Sequence, residues 1–341
     1  MATIKEVAQM AGVSIPTAYR AFNNSGPVGE QARRRVLEAA RVVNYEPKGN
    51  AATNRQRVIG IIVPRDITSD TFYSNYLRAL NKELYHYEFR LMQVIAEGSA
   101  SDEYCRCVEL LQRSRAEGII YFPKAVDQPQ EIAALQDKTI PVLQLFKKTN
   151  EHSNVLLVDD VTGAYLATRE MIRYGHRRIL FLQHSPEKEY FQREDGYCRA
   201  FREAGLPVDE DMLVSFPLHN NIKGMVKERI ERLKPTAIFA ISESVSSYVL
   251  QSLRELHLST PRDISLVMFD DTSWAAALGI TAVGHPFEKL AISSAQLIIQ
   301  TIKDRERGLR SNGETYIIDP QLIMRDSVDR IPMNSGNQRR E

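Results

Sequence analysis

From Val58 onward, short apolar runs alternate with longer segments whose apolar positions recur at helical spacing. The runs are VIGIIVP (58–64), RLMQVIA (90–96), GIIYFP (118–123), PVLQLF (141–146), NVLLVDD (154–160), ILFLQ (179–183), MLVSFP (212–217), AIFAIS (237–242) and ISLVMFD (264–270). Runs this uniformly apolar predict strands covered on both faces, hence parallel sheets with helices on either side. Nine such strands exceed one small domain and suit two doubly wound lobes. Ligands of such sheets sit beyond the carboxyl ends of the strands, so two facing lobes would make a cleft there.

Before Val58 the pattern is purely helical. Thr3-Ile4-Lys5-Glu6 is a capping box, in which the threonine hydroxyl takes the Glu6 amide and the Glu6 carboxylate reaches back. Ile4, Val7, Ala8 and Ala11 then repeat along one short helix. Gly12 ends it and Val13 anchors the turn. Ser14 caps a second helix, with Pro16 in a first turn that needs no N–H. Ala18, Ala21 and Phe22 supply its buried face, and Thr17, Tyr19 and Arg20 point outward. A third amphipathic helix is expected from about Glu30 to Asn44, with Val36, Ala39, Ala40 and Val43 inward. Helix, glycine turn and polar-faced helix make a helix-turn-helix, which can lay its second helix in a major groove.

Charge sharpens that reading. Residues 1–57 hold nine Lys and Arg against four Asp and Glu, a net +5, in a chain whose total is +1. A basic head on an acidic body is the footprint of a polyanion-binding module. Arg33, Arg34 and Arg35 fan around a helix and read as a solvated surface. A hydrophobic fraction of 43% and a charged fraction of 26% are ordinary for a globular protein. No leader-like apolar stretch opens the chain, and no run is long enough to span a bilayer. Three cysteines suggest packing rather than a disulfide framework. A reduced, cytoplasmic setting is expected.

TIKEVAQMAGVS, then Arg20-Ala21-Phe22-Asn23-Asn24, then RRRVLEAARVVNYEP at Arg33–Pro47, resemble the N-terminal domain of the LacI/GalR family of bacterial transcription repressors. The resemblance continues through Gly175-His176-Arg177-Arg178-Ile179, Arg193-x-x-Gly196-Tyr197 with Ala204-Gly205-Leu206, Pro235-Thr236-Ala237-Ile238-Phe239 and Asp263-Ile264-Ser265-Leu266-Val267, spanning about residues 3 to 327. It implies a small all-α helix-turn-helix DNA-binding domain joined to an α/β core of two doubly wound parallel-sheet lobes, the periplasmic-binding-protein-like architecture. A helix near Phe287–Arg305 and strands near Thr315–Met324 would cross back to complete the lobes.

The expected divisions are a DNA-binding head at 1–46, a hinge at 47–57, a core at 58–328 and a disordered tail at 329–341. Within the core, one lobe takes about 58–160 plus 289–318 and the other about 161–288 plus 319–328. Family hinges form a short helix that inserts a leucine into the minor groove. Here Asn54 stands at that position, Asn50 replaces a β-branched residue, Ala52 replaces an arginine, and Gly49 weakens any helix. Asparagine is no apolar wedge, though it can hydrogen-bond in the groove.

The resemblance implies a homodimer on a palindromic operator, with Thr3, Ser14, Ile15, Pro16, Thr17, Tyr19, Arg20, Asn23 and Asn54 on the DNA side. Ser14, Thr17 and Tyr19 are expected at phosphates, and Arg20 at guanine O6 and N7. The apolar Ile15 and Pro16 are expected near thymine methyls.

For the cleft, Asp270 at the end of its strand can accept two hydrogen bonds from vicinal hydroxyls, or can equally cap a turn. Trp274, the one tryptophan, offers an aromatic face to a sugar, or fills the core. Arg193 opens a helix expected at Arg193–Ala204, and the family holds its effector with an arginine and an aspartate at these positions. Phe72 and Tyr73 follow the first strand, where the family places aromatic cleft residues, although Asp70-Thr71 replaces the usual Asn-Pro. His219 and Glu243 are weaker candidates. Asp159 and Asp160 are expected to cap the next helix.

Catalytic signatures are missing from the sequence: GxSxG, P-loop, HExxH, and GxGxxG after the first strand. The seven histidines lack metal-ligand spacing. Asp270 and Asp271 alternate faces and should not converge on one bond. A carbohydrate-active enzyme or a free solute receptor would share the body, but neither uses a basic head. The expectation is a ligand-controlled repressor of carbohydrate-utilisation genes, without cofactor or metal. Its effector is a sugar or glycoside first, with a nucleobase or phosphoprotein co-repressor as alternatives. No leucine-heptad tail follows Ser327.

Overall fold

The structure is a computed structural model, and the described residues are 3–23, 28–43, 45, 57–65, 71–96, 101–123, 140–149, 151–184, 192–216, 222–309 and 311–331. The chain divides into two compact units, Met1–Arg57 and Val58–Glu341. The hinge positions Gly49, Asn50, Ala52 and Asn54 lie outside the described residues.

In the head, α1 (Ile4–Met10) starts from the expected capping box: the Thr3 amide donates to Glu6 Oε2 at 3.0 Å and the Glu6 amide to Thr3 Oγ1 at 3.4 Å. Gly12 turns the chain at φ +61°, a conformation that costs other residues but not glycine. The Thr17 amide then donates to Ser14 Oγ at 3.3 Å, opening α2 (Ile15–Asn23). With α3 (Glu30–Val42), these helices enclose Val7, Ala8, Ala11, Ala18, Ala21, Val36, Ala39 and Ala40. Side chains this small let three short helices approach closely around a minimal core.

The second unit holds two six-stranded sheets. Sheet A has the order β11-β5-β4-β3-β1-β2. Its strands are β1 (Arg57–Pro64), β2 (Phe89–Ala96), β3 (Gly118–Tyr121), β4 (Val142–Leu145), β5 (Asn154–Val158) and β11 (Thr315–Ile318). Sheet B has the order β12-β10-β9-β8-β6-β7. It is built from β6 (Ile179–His184), β7 (Leu213–Phe216), β8 (Ala237–Ala240), β9 (Ser265–Phe269), β10 (Thr281–Gly284) and β12 (Gln321–Ile323).

The interior strands are buried along both faces, as the apolar runs predict. Helices α4 (Thr71–His86) and α11 (Phe287–Glu306) cover one face of sheet A, where Tyr76 Oη donates to Ser294 Oγ at 2.9 Å. α5 (Ser101–Arg113) covers the other face with Cys107, Val108 and Leu111. Sheet B lies between α8 (Ile222–Leu233), α9 (Glu243–Glu255) and the short α10 (Ser273–Ala277) on one face and α6 (Asp160–Arg173) with α7 (Arg193–Glu203) on the other.

Two features depart from the sequence reading. β10 is a tenth parallel strand that the apolar runs did not include, because Thr-Ala-Val-Gly is short and small. β12 runs antiparallel to β10, since the chain enters sheet B directly from β11 with no crossover helix to reverse it. The chain passes between the sheets at Val158–Asp160, Gly284–Phe287 and Ile318–Gln321, and the Asp159 amide donates to Ile318 O at 3.0 Å, binding two of these passages together.

The tightest helix contact in sheet B's layer is α6 on α7. A Cβ on Gly196 would stand 2.1 Å from Val161 O and 2.8 Å from the Tyr165 amide nitrogen, both backbone atoms that cannot move aside. Gly196→Ala is therefore expected to destabilise this unit by about 3 kcal/mol, read from the urea midpoint at unchanged slope. A loss of a few tenths would show that the two helices part without cost.

Candidate functional site

The outer face of α2 carries the residues expected against DNA. Ile15, Pro16, Tyr19 and Arg20 are exposed, and Ile15 and Tyr19 are large side chains left 46% and 54% accessible. Ser14 Oγ and Thr17 Oγ1 lie 2.8 Å apart, so these two hydroxyls are held together at the helix start. Thr3 is exposed but engaged in the capping box. Asn23 closes α2, and its side chain lies outside the described residues, as does all of Asn54. An exposed isoleucine and tyrosine beside an arginine form a face with nothing of the head's own core to cover it.

In the second unit, a group of ionisable side chains gathers beyond the strand ends. Arg193, the first residue of α7, is buried and sits 3.1 Å through Nη2 from Asp160 Oδ1, with Nε donating to the same oxygen at 3.2 Å. Its Nη1 also donates to Ile241 O, and its guanidinium lies 3.7 Å over the Phe269 ring. Asp160 follows β5 and begins α6; Asp159 alone takes the capping role, accepting the Thr162 amide at 2.8 Å. The expectation that both would cap is thus corrected for Asp160, because a buried arginine competes for its carboxylate.

Asp270 directly follows β9 in the left-handed region at φ +72°, and its carboxylate lies against the residue that follows β10. There His285 stands between two acids, Nδ1 at 3.2 Å from Asp270 Oδ1 and Nε2 at 3.6 Å from Asp160 Oδ1. Burial by itself would drive the His285 pKa down, but the two carboxylates outweigh it and hold the imidazole above its ordinary value. Burial likewise opposes ionisation of Asp270, yet His285, Arg193 and the Glu243 backbone N–H together hold its pKa low. Two carboxylates thus face a guanidinium and an imidazole within one cluster, each partner offsetting the other's cost of leaving water.

His285 escaped the sequence reading. The signal was present: a polar residue closes the run Thr-Ala-Val-Gly before Pro286. The run is too short and small-sided to read as a strand, so its end does not stand out as a cleft position. Asp271 diverges from Asp270 as strand alternation predicts, its Oδ1 lying 2.7 Å from Arg325 Nη1.

Phe72 belongs to this cluster as well. Its ring centroid is 4.8 Å from His285 and 5.3 Å from both Phe146 and Phe287, giving the charged group an aromatic wall from the side of sheet A. Tyr73 turns away instead. It packs edge-on against Phe122 in the sheet A core, where burial pushes its phenol pKa upward. Adjacent helix positions cannot share one face, so Phe72 at the cleft puts Tyr73 in the interior. Trp274 packs on the sheet B core and donates its indole N–H to Glu243 Oε1 at 2.8 Å. His219 lies outside the described residues. Carboxylates, a guanidinium and an imidazole beside edge-on and tilted aromatic rings can bind a ligand that presents hydroxyls along one edge and an apolar face along the other.

Residues 3–48 match the family profile described as bacterial regulatory proteins, lacI family, and residues 56–319 match periplasmic binding proteins and sugar binding domain of LacI family. Among curated relatives, the HTH-type transcriptional regulator DegA of Bacillus subtilis is 27% identical over 98% of this chain and 99% of its own. The HTH-type transcriptional repressor PurR of Vibrio vulnificus is 26% identical, covering 97% of this chain and 100% of that one. The solved lac repressor dimer bound to operator and the anti-inducer ONPF superimposes with a TM-score of 0.76 at 18% identity, over 96% of this chain and 99% of that one, a likeness of fold.

The charge cluster makes stability pH-dependent. Since the folded pKa of His285 is raised, its contribution is complete below the ordinary imidazole range and lost as pH rises through the folded value. Asp270, held low, contributes above the ordinary carboxylate range and loses its share only as pH falls through its folded value. His285→Gln should therefore cost about 3 kcal/mol in mildly acidic buffer, with the gap to wild type closing in alkaline buffer. Urea titrations across that range give the answer, and a pH-independent gap would show that the imidazole is neutral.

Proposed function

Because the chain belongs to the LacI family of bacterial regulatory proteins, we propose that it is a repressor whose hold on its operator is set by a sugar or glycoside bound between the two sheets. It is a DNA-binding transcriptional regulator and not an enzyme. It works as a homodimer, acting in the cytoplasm on duplex DNA, where two heads read two half-sites.

On this reading Ile15 and Pro16 meet thymine methyls, Arg20 reads a guanine through its fork, and Ser14, Thr17 and Tyr19 hold phosphates. The observation that carries the sugar assignment is the Asp160–Arg193–Asp270–His285 cluster facing Phe72. Its carboxylates accept hydroxyl hydrogens, its guanidinium and imidazole donate to ring or hydroxyl oxygens, and the phenyl face packs on C–H surface. The lobes are taken as about 58–160 plus 289–318 and about 161–288 plus 319–328, a division supported by β11 joining sheet A and β12 joining sheet B. A ligand that changes the angle between the lobes would change the spacing of the two heads. A second reading, a nucleobase, is favoured by the aromatic group of Phe72, Phe146 and Phe287, whose edge-on and tilted rings can pack on a planar ring.

Thermal-shift screening of mono- and disaccharides beside purines and pyrimidines decides between the two. A sugar is expected to raise the midpoint, and stabilisation by bases alone would remove the sugar reading. In the head, Arg20→Ala is expected to cost about 1–3 kcal/mol on the selected operator and to relax preference at one base pair. Competition binding against single-base operator variants measures this, and an equal loss on every sequence would place Arg20 on the backbone.

A further inference from the structure

Glu243 opens α9 just after the carboxyl end of β8, on the sheet B side of the cleft. Its helix is capped by Ser242, whose Oγ accepts the Val245 amide at 3.4 Å, so the Glu243 side chain is not needed as a cap there. Instead the carboxylate reaches α4, which packs on sheet A. Oε2 accepts the Thr71 amide at 3.1 Å and Oε1 accepts the Thr71 hydroxyl at 2.8 Å. Thr71 is the first residue of a 16-residue helix, whose opening N–H groups have no partner within the helix and whose dipole favours an anion. One lobe thereby supplies the anionic cap for a helix of the other.

Glu243 is also tied inward at two points, once through its carboxylate and once through its backbone. Oε1 accepts the Trp274 indole N–H at 2.8 Å, and the Glu243 backbone N–H hydrogen-bonds to the Asp270 carboxylate. On the far side, Phe72 next to Thr71 packs against His285. Both ends of the bridge therefore run into the charge cluster.

We propose that Glu243 is an interlobe latch: its carboxylate couples the start of α4 to Asp270 and Trp274, so that separation of the lobes and occupation of the Asp270 site draw on the same contacts. A ligand that engages Asp270 or slides along Phe72 shifts an element on which the latch depends, and the latch sets how much lobe rotation each binding event releases. Its regulatory meaning rests on the ligand-controlled reading above. Its existence does not, and the two fail separately.

Trp274, the single tryptophan, makes the latch observable in the full chain by intrinsic fluorescence. Thr71→Pro is the informative variant. It removes both donors to Glu243 from a lobe that does not hold the tryptophan, and proline is well tolerated at a first helical position. Glu243→Gln removes the charge from the other side, and Glu255→Gln, at the far end of α9 beside Lys223, serves as control. With folding checked by circular dichroism, Thr71→Pro and Glu243→Gln should each red-shift the Trp274 emission, raise its quenching by acrylamide and enlarge the radius of gyration by small-angle scattering. The control should do none of these, and the double variant should add little to either single one. Should Thr71→Pro leave emission, quenching and scattering as in wild type, Glu243 acts only within its own lobe and the latch is overturned. This outcome is independent of which compounds stabilise the protein.

Discussion

Charge compensation beyond the strand ends is the constraint that the body is arranged around. Arg193, Asp160 and His285 are buried together, with the half-buried Asp270 against them, and a lone member of such a group would carry a heavy desolvation cost. Two of the four sit on passages between the sheets: Asp160 where the chain leaves β5, and His285 where it leaves β10. The charged groups are therefore placed where the chain crosses from one sheet to the other. Any ligand that hydrogen-bonds to Asp270 or Arg193 changes the balance among groups that also fix where the chain bends.

What could be read in advance follows how local the cause is. The head was legible almost residue by residue, because caps, a glycine turn and a 3.6-residue repeat are set by neighbours in the chain. The parallel lobes were legible from strands apolar on both faces. The cleft was legible only in part. Arg193, Asp270 and Phe72 do come together. Tyr73 does not join them, since its place was decided by packing against Phe122, a residue far away in sequence. Trp274 reads neither as a free sugar platform nor as simple core filling; its indole N–H is committed to Glu243.

Other misses have the same origin. Asp160 looks like a helix cap beside Asp159, and nothing nearby reveals that a guanidinium thirty-three residues later will claim it. His285 follows a strand too short and small-sided to stand out, yet that strand lies second from the edge of sheet B and delivers the next residue, His285, against Asp270. Glu243 was only a weak candidate, because its significance depends on Thr71 arriving from the other lobe.

The three passages between the sheets also bear on how the chain is made. Sheet A needs β11 and the covering helix α11, both encoded after the whole of sheet B's parallel set, so neither lobe is a continuous stretch of polypeptide. During synthesis the apolar face formed by Ile59, Ile61, Leu143 and Leu156 waits for Leu290, Ile298 and Ile302 to leave the ribosome. A nascent chain of this topology exposes adhesive surface until translation is nearly finished.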